Sequence, residues 1–261
     1  MTAEPFIAEF AKIFPEINLV LSTGTMVFIR LLGLMVICPP FNRKEVPGMV
    51  KICLATIMCV ICTMVLKPTP MPSETPFILC MFLNFAFGMM LGFIVNCVLA
   101  AVSAGGDMMN MQMGKSAATV LDPTTRAQVS IIGNIFGYIA LIIFISSGGA
   151  FWAIDAFLRS FEVFGMYSVS VPIEKLISMD YLTFITSNVL YMGMQIASPI
   201  ILATLGQDII LGIISKTAPQ VNVFQLSFLF KPVVGVFILI TIMPLLINVI
   251  NDYISEFAQI F

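Results

Sequence analysis

The chain has 261 residues, of which 59% are hydrophobic and only 10% are charged, whereas a soluble domain carries about 25% charged residues. This composition predicts a protein that lies in a membrane or packs among other apolar helices. The net charge of −2 and the scattered Lys and Arg exclude a basic nucleic-acid surface, and the absence of histidine removes the commonest general base and metal ligand.

In chain order, the first residues, MTAEPFIAEFAKIF, are acidic and lack the basic region of a secretory signal, so we interpret them as a short amphipathic lead-in. Apolar runs close to the length of a membrane span follow. They predict a single all-α membrane unit of about six long, partly broken helices arranged as hairpins. The predicted segments are roughly Ile17–Cys38, Met49–Leu66, Phe77–Ala104, Val129–Leu158, Tyr181–Leu205 and Val223–Ile250.

Small side chains recur at every fourth residue of the third segment and appear again in the fourth. In lipid, helices associate mainly through close backbone approach at small residues. The pattern fits packing within the chain and contacts between subunits equally well, and we take subunit packing as the prediction. The residues are Gly88, Gly92, Asn96, Ala100, Gly133 and Gly137.

Charges and prolines interrupt the apolar segments. A charge at bilayer depth costs about 2.5–3.5 kcal/mol on insertion scales, so Arg30 and Lys51 should face protein or water. Asp155 and Arg159 are spaced for an ion pair on one helix. Prolines should break the last third into short helices that need partners or line a pore; they are Pro199, Pro219, Pro232 and Pro244.

The six cysteines lie in or beside apolar segments of the first hundred residues. Cys59 and Cys62 have a spacing found in redox and metal sites, but no other polar ligand is near them in sequence. We therefore predict that all six are packing residues. The others are Cys38, Cys53, Cys80 and Cys97.

The central stretch GGDMMNMQMGKSAATVLDP, Gly105–Pro123, is too polar for a lipid-facing helix. Methionine is flexible enough to seal an opening of variable shape, and glycines supply hinges. Asp122 and Pro123 have the composition of a helix start. The stretch therefore predicts a pore plug or gate, and a re-entrant loop that is packed for structural reasons is the alternative. The plug residues are Gly105, Gly106, Met108, Met109, Met111, Gln112, Met113 and Gly114.

Enzymatic function is not supported by the sequence. Gly114-Lys115-Ser116 matches the end of a phosphate loop, but that motif needs glycine where this chain has Met109. A Ser/His/Asp or Cys/His set needs a histidine. We predict no catalytic residue, no cofactor and no metal site. A secondary transporter should contain two matching halves, and no internal repeat is visible.

The pattern Gly106-x₅-Gln112-Met113-Gly114-x₃-Ala118-x₃-Asp122-Pro123 resembles the central signature of the FliR family of flagellar export proteins. Arg30-x₂-Gly33 and Ser198-Pro199 resemble flanking family motifs, and the resemblance extends roughly from Arg30 to Lys231. The chain departs from the family at Lys115, where a large apolar residue is usual, and at Ala117, where phenylalanine is usual. Met111 and Met113 would then fill the pore in place of that phenylalanine.

The resemblance implies a core subunit of the flagellar type III export gate in the bacterial inner membrane, at the flagellar basal body. Family members resemble a fusion of two companion gate subunits, called the P-type and the Q-type. Residues 1–180 would be the portion that is similar to the P-type subunit, with a plug loop at 105–123. Residues 181–261 would be the hairpin that is similar to the Q-type subunit. The implied partners are P-type and Q-type subunits, the FlhB-type switch subunit, unfolded export substrates and lipid. An injectisome export gate is the alternative, followed by a secondary transporter. The implied hairpin-turn residues are Gly212, Lys216, Pro219, Gln220 and Lys231.

Overall fold

The structure, a computed structural model, describes residues 15–43, 46–66, 76–114, 130–168 and 179–260. Every regular element in these ranges is helical, which confirms the prediction of an all-α fold. The predicted lead-in lies outside the described residues. The helices are α1 (Pro15–Ile37), α2 (Pro39–Asn42), α3 (Gly48–Val65), α4 (Phe77–Gln112), α5 (Ile131–Ser146), α6 (Gly149–Val163), α7 (Met179–Thr217) and α8 (Val223–Ile260).

The chain folds as two compact units, each built from two stretches of sequence. The first unit comprises Met1–Asn96 and Phe151–Met179, and in it α1 packs against α2 and α3. The second comprises Cys97–Ala150 and Asp180–Phe261, and in it α5 packs against α8. Helix α4 contributes its residues up to Asn96 to the first unit and the rest to the second.

Within the described ranges, five helices are long and apolar enough to cross a membrane, and a bent pair is a sixth candidate. This agrees with the predicted number of apolar segments. The chain is therefore a membrane protein by the length and composition of its helices. The five spans are Leu19–Ile37, Gly48–Val65, Phe77–Gln112, Thr183–Thr217 and Val223–Glu256, and the bent pair is Ile131–Ser146 with Gly149–Val163.

Proline sets the boundary between α1 and α2. Cys38 precedes Pro39, and its backbone is extended, with φ −62° and ψ 121°. The proline ring clashes with a helical residue before it, so α1 must end there. Pro47 is likewise extended immediately before α3, with ψ 142°. These two short breaks place α1 and α3 so that they pack on each other.

The fourth predicted segment is wrong as a single helix. Helices α5 and α6 meet at a bend of 70°. Gly148 has φ +78°, a left-handed conformation that glycine adopts readily and that ends α5 after Ser146. The sequence at this point is Ser146-Ser147-Gly148-Gly149, a turn signal that the prediction of one long segment overlooked.

The prediction that prolines break the last third into short helices is also wrong. Pro199 lies inside the 39-residue α7, and Pro232 and Pro244 lie inside the 38-residue α8. Pro199 cannot donate to the carbonyl of Gln195, but the Ser198 hydroxyl donates to that oxygen at 2.8 Å. A neighbouring serine thus replaces the lost backbone bond, as is common in membrane helices. Pro219 alone of the four lies in a turn.

Arg159 Nε lies 2.9 Å from Asp155 Oδ2 on α6, so the predicted ion pair is confirmed. All six cysteines are free thiols; five are buried, as predicted, but Cys53 is exposed on α3. The prediction is wrong for Cys53 because α3 buries only a narrow stripe that includes Ala55, Cys59 and Cys62.

Candidate functional site

The Met-rich stretch begins inside a helix. The sequence placed the end of the third helix at Ala104, but α4 continues to Gln112. The expectation that Gly105 and Gly106 act as hinges in a loop is therefore wrong. We refer to Gly105–Gly114, the described part of the predicted plug, as the stem.

Tertiary packing explains why the helix continues through two glycines. A glycine in a helix costs about 1 kcal/mol relative to alanine, but here the missing side chains admit neighbours. A Cβ added to Gly105 would lie 3.0 Å from the Cβ of Ile196 on α7. A Cβ added to Gly106 would lie 2.8 Å from the Cα of Gly133 on α5. The glycines let α5 and α7 approach the stem closely and so hold it in place.

The methionines of the stem divide between buried and exposed positions. Met109 and Met113, one turn apart, are fully buried at 0% exposure. Met111 is 64% exposed in the isolated chain, Gln112 is exposed and Met108 is half-buried. Hence two of the predicted sealing methionines are core residues, and Met111 is the methionine that presents most of its surface outward.

The stem ends in a left-handed turn at Gly114. Its φ is +77°, a Cβ there would meet nothing within 4 Å, and its N–H donates to the carbonyl of Met111 at 3.1 Å. A side chain at this φ would be strained, so glycine is required by the turn and not by packing. Of the predicted hinge glycines, this one has the conformation of a turn.

The predicted helix restart at Asp122 and Pro123 lies outside the described residues, as do Lys115 and Ala117. The next described helix is α5, which begins after Ser130. The Ser130 hydroxyl accepts a hydrogen bond from the N–H of Gly133 at 3.0 Å, the usual arrangement of a helix N-cap.

Three of the predicted small-residue positions, two on α4 and one on α5, pack closely within the chain. Gly88 lies against the carbonyl oxygen of Arg30, and a Cβ added to Gly92 would lie 2.6 Å from the carbonyl oxygen of Leu34. Gly133 contacts Gly106 and the Asp107 carboxylate. The structure therefore contradicts subunit packing for these three glycines. Asn96 and Ala100 are half-buried, and a Cβ on Gly137 would lie 3.7 Å from Ser103 Cβ.

A buried guanidinium connects the helices of the first unit. Arg30 on α1 is 0% exposed, which confirms that this charge faces protein. Its Nε and Nη2 both donate to Asn84 Oδ1, at 3.0 and 2.6 Å. Nη1 donates to the Ser160 hydroxyl and Nη2 to the Phe164 carbonyl, each at 3.0 Å. The guanidinium carbon lies 3.8 Å from the ring centre of Phe161, within cation–π range.

Asn84, the main hydrogen-bond partner of Arg30, was not predicted from the sequence. Its carboxamide also donates to the carbonyls of Cys80 and Met166, at 2.7 and 2.9 Å, so both ends of the group are satisfied. The signal was present, because Asn84 lies one turn before Gly88 on the same face of the helix. A lone polar residue in register with a small-residue ridge indicates a buried partner, which here is Arg30.

The last two helices form an antiparallel hairpin. Lys231 Nζ lies 2.6 Å from Asp208 Oδ1, and the Gln207 amide donates to the Phe230 carbonyl at 3.4 Å. Both contacts join residues about equally far from the turn. The turn region contains Lys216, Pro219 and Gln220, all exposed, while exposed Gly212 lies inside α7.

Among the described residues, no three His, Cys, Asp or Glu side chains lie close enough together to hold a metal ion. Two polar groups are instead satisfied across helices: Arg30 by Asn84, Ser160 and Phe164, and Lys231 by Asp208. The stem packs closely against α5 and α7 and exposes Met111. Helices α7 and α8 likewise expose large apolar side chains.

The family described as "Bacterial export proteins, family 1" matches residues 21–257, nearly the whole chain. The chain belongs to this family, the FliR family. It is 29% identical over 234 residues to the flagellar biosynthetic protein FliR of Bacillus subtilis (strain 168), covering 88% of this chain and 89% of that protein. FliR of Escherichia coli (strain K12) is 27% identical over 246 residues, covering 89% and 92%.

The FliR-family chain is also similar to the surface presentation of antigens protein SpaR of Shigella flexneri. The two are 25% identical over 160 residues, which covers 61% of this chain and 60% of that protein. The similarity to the two FliR proteins therefore extends over more of the chain than the similarity to SpaR.

Proposed function

We propose that this protein is a core subunit of the flagellar type III protein export gate in the bacterial inner membrane. In this proposal it helps to form the channel through which unfolded flagellar proteins leave the cytoplasm, and residues 105–123 close that channel. The observation that carries the proposal is the family match over residues 21–257. The flagellar system is favoured because the FliR relatives match 88–89% of the chain and SpaR matches 61%.

The length of the exposed apolar surface on α7 supports assembly with other subunits. Exposed large apolar side chains on α7 extend from Phe184 to Ile213. At 1.5 Å per residue this is about 43 Å, more than the roughly 30 Å hydrocarbon core of a bilayer. An upright helix exposes only part of that length to the hydrocarbon core, which supports coverage of the rest by protein. We assign this role to P-type and Q-type subunits and to the FlhB-type switch subunit, in a hetero-oligomer.

The division of the chain follows the same proposal. Residues 1–180 correspond to a P-type-like portion, and 181–261 to a Q-type-like hairpin with its tip near Pro219 and Gln220. The antiparallel pairing of α7 with α8 through Asp208 and Lys231 supports this assignment of the hairpin. Homologous hairpins would then pack side by side into a helical assembly.

Closure of the channel is assigned to the outward face of the stem. Apolar constrictions block ions because they exclude water, and methionine adapts to the shape it contacts. Met111 and Gln112 are exposed, and we assign the seal to them, whereas Met109 and Met113 hold the stem in the fold.

The test is ion conductance of the assembled gate in planar bilayers. Deleting Met108–Met113 should cause a leak, but the deletion also removes the buried Met109 and Met113. The sharper variant is Met111→Ser, which places a water-binding hydroxyl at the seal; we expect it to raise the closed-state conductance. Met64→Ser is the matched control, because Met64 is 82% exposed on α3, far along the chain from the stem. Background conductance of an assembled Met111→Ser gate would contradict the plug assignment.

An injectisome export gate is the second candidate, favoured by the similarity to SpaR. Restoration of motility in a flagellar strain that lacks its own FliR supports the flagellar assignment. Failure there, together with restored secretion in an injectisome strain that lacks its own subunit, supports the alternative.

A further inference from the structure

The end of the stem is seated on a glycine of the last helix. Met113 is 0% exposed, and Gly235 on α8 is buried. A Cβ added to Gly235 would lie 2.6 Å from Met113 Cγ and 3.1 Å from both its Sδ and its Cε. The whole length of the methionine side chain therefore occupies the space that any larger residue at 235 would need.

This contact lies at the point where the chain leaves helix α4. The Met113 N–H donates to the carbonyl of Met109 at 3.0 Å, the last helical bond, and the left-handed Gly114 follows. Met113 is thus the last residue of the stem whose side chain is fixed by the core of the second unit. Its position fixes the described end of the stem.

Helix α8 joins this contact to the hairpin. Lys231 lies one turn before Gly235, on the same face of the helix. Lys231 is only 19% exposed in its pair with Asp208 on α7, whereas Asp208 is 48% exposed. A shift of α8 along α7 would therefore displace the Lys231 pair and the Met113 seat together.

We propose that the seat of Met113 on Gly235, the Met113 anchor, holds the plug closed and makes its opening depend on the position of the hairpin. This inference rests on the proposed function. Partner subunits or substrate that move α8 relative to α7 release Met113, and the stem then loses its fixed end. Packed contacts of this kind have discrete arrangements, so a small shift of α8 acts as a switch.

The first experiment substitutes the glycine in the assembled gate. Gly235→Ala should displace Met113 and raise closed-state conductance roughly tenfold, within the range of coupling between contacting residues. Gly206→Ala is the matched control, since Gly206 lies inside α7 and a Cβ there meets nothing within 4 Å. Adding Met113→Ala to Gly235→Ala should give no more leak than Met113→Ala alone, because the clash no longer exists.

The second experiment fixes the anchor instead of removing it. Met113→Cys with Gly235→Cys places two thiols at a separation suited to a disulfide. Oxidation with copper phenanthroline should then stop export while conductance stays at background, and reduction should restore export. Each single cysteine variant serves as the control for oxidation of the native thiols.

The outcomes separate this inference from the proposed function. If Met111→Ser leaks while Gly235→Ala and the oxidised cysteine pair behave like the unmodified gate, the anchor is wrong and the plug assignment stands. If an assembled Met111→Ser gate stays at background, the plug assignment itself fails. Co-purification of the partner subunits with Gly235→Ala shows that the variant has assembled. If that variant does not assemble, the export and conductance of the oxidised cysteine pair test the anchor instead.

Discussion

Asn84 accepts two hydrogen bonds from Arg30 through a single carboxamide oxygen, at 3.0 and 2.6 Å, in the interior of the first unit. The two residues lie in largely apolar helices, Arg30 in α1 and Asn84 in α4, and they are 54 positions apart in the chain. A charged group at this depth is tolerated only when its donors are satisfied. The pair therefore fixes the register of α1 against α4.

The first prediction follows from this pair. Asn84→Leu removes the acceptor of two guanidinium bonds and leaves a buried cation short of partners. We expect a loss of about 1–3 kcal/mol or more in stability, since the unsatisfied group is charged. Thermal unfolding of the detergent-solubilised gate measures the loss.

Asn134→Leu is the control for that substitution, because Asn134 is exposed on α5. Equal melting curves for Asn84→Leu and Asn134→Leu would show that the Arg30 network contributes nothing to stability.

The second prediction concerns the glycines of α4. Gly92→Ala forces a Cβ to within 2.6 Å of the Leu34 carbonyl oxygen, so α1 must move or α4 must bend. Overpacking of this kind costs about 1–3 kcal/mol. Gly206→Ala, in open space on α7, should instead be neutral or gain up to about 1 kcal/mol from helix propensity. Melting temperatures that change in the same direction for both variants would contradict the packing argument.

The third prediction concerns the hairpin. Asp208→Asn and Lys231→Met each break the ion pair between α7 and α8, and because Asp208 is half exposed we expect only about 0–1 kcal/mol from each. The exchanged pair, Asp208→Lys with Lys231→Asp, should recover most of the loss. A double-mutant cycle in melting temperature checks this, and additive effects would mean that the two residues do not interact.

The fourth prediction is dependence on partners. Large apolar side chains are exposed along α3, α7 and α8, and only 11% of the α3 span is buried within the chain. Expressed alone, the chain should be degraded or aggregated, and co-expression with the P-type and Q-type subunits should raise its level in the membrane. A monodisperse monomer in detergent with saturable uptake of a small solute would instead indicate a transporter.

Composition and apolar periodicity were sufficient to predict the number of apolar segments and their approximate positions, because the length of a membrane span is set by the bilayer. The burial of Arg30 among protein groups followed from the cost of a charge in lipid. The ion pair of Asp155 with Arg159 followed from their spacing on a helix. These features depend on local sequence and on the solvent, so they are visible without a structure.

The features that depend on contacts between distant residues could not be predicted. Helix α4 continues past Gly105 because Ile196 and Gly133 lie beside the stem. Neither contact can be inferred from the residues next to Gly105 in the sequence. Helix α7 continues through Pro199 because Ser198 supplies the missing hydrogen bond. The contact of Met113 with Gly235 joins positions 122 residues apart, and no sequence pattern at either position indicates it.

The exposure of Cys53 has a practical consequence. The other five thiols are buried, so the unaltered chain offers one accessible site for an alkylating reagent, in the first half of α3. Alkylation requires the thiolate, so a water-soluble maleimide should modify Cys53 if that surface meets water, and should fail if lipid or a neighbouring subunit covers it. The native protein thus carries its own reporter of what surrounds this helix.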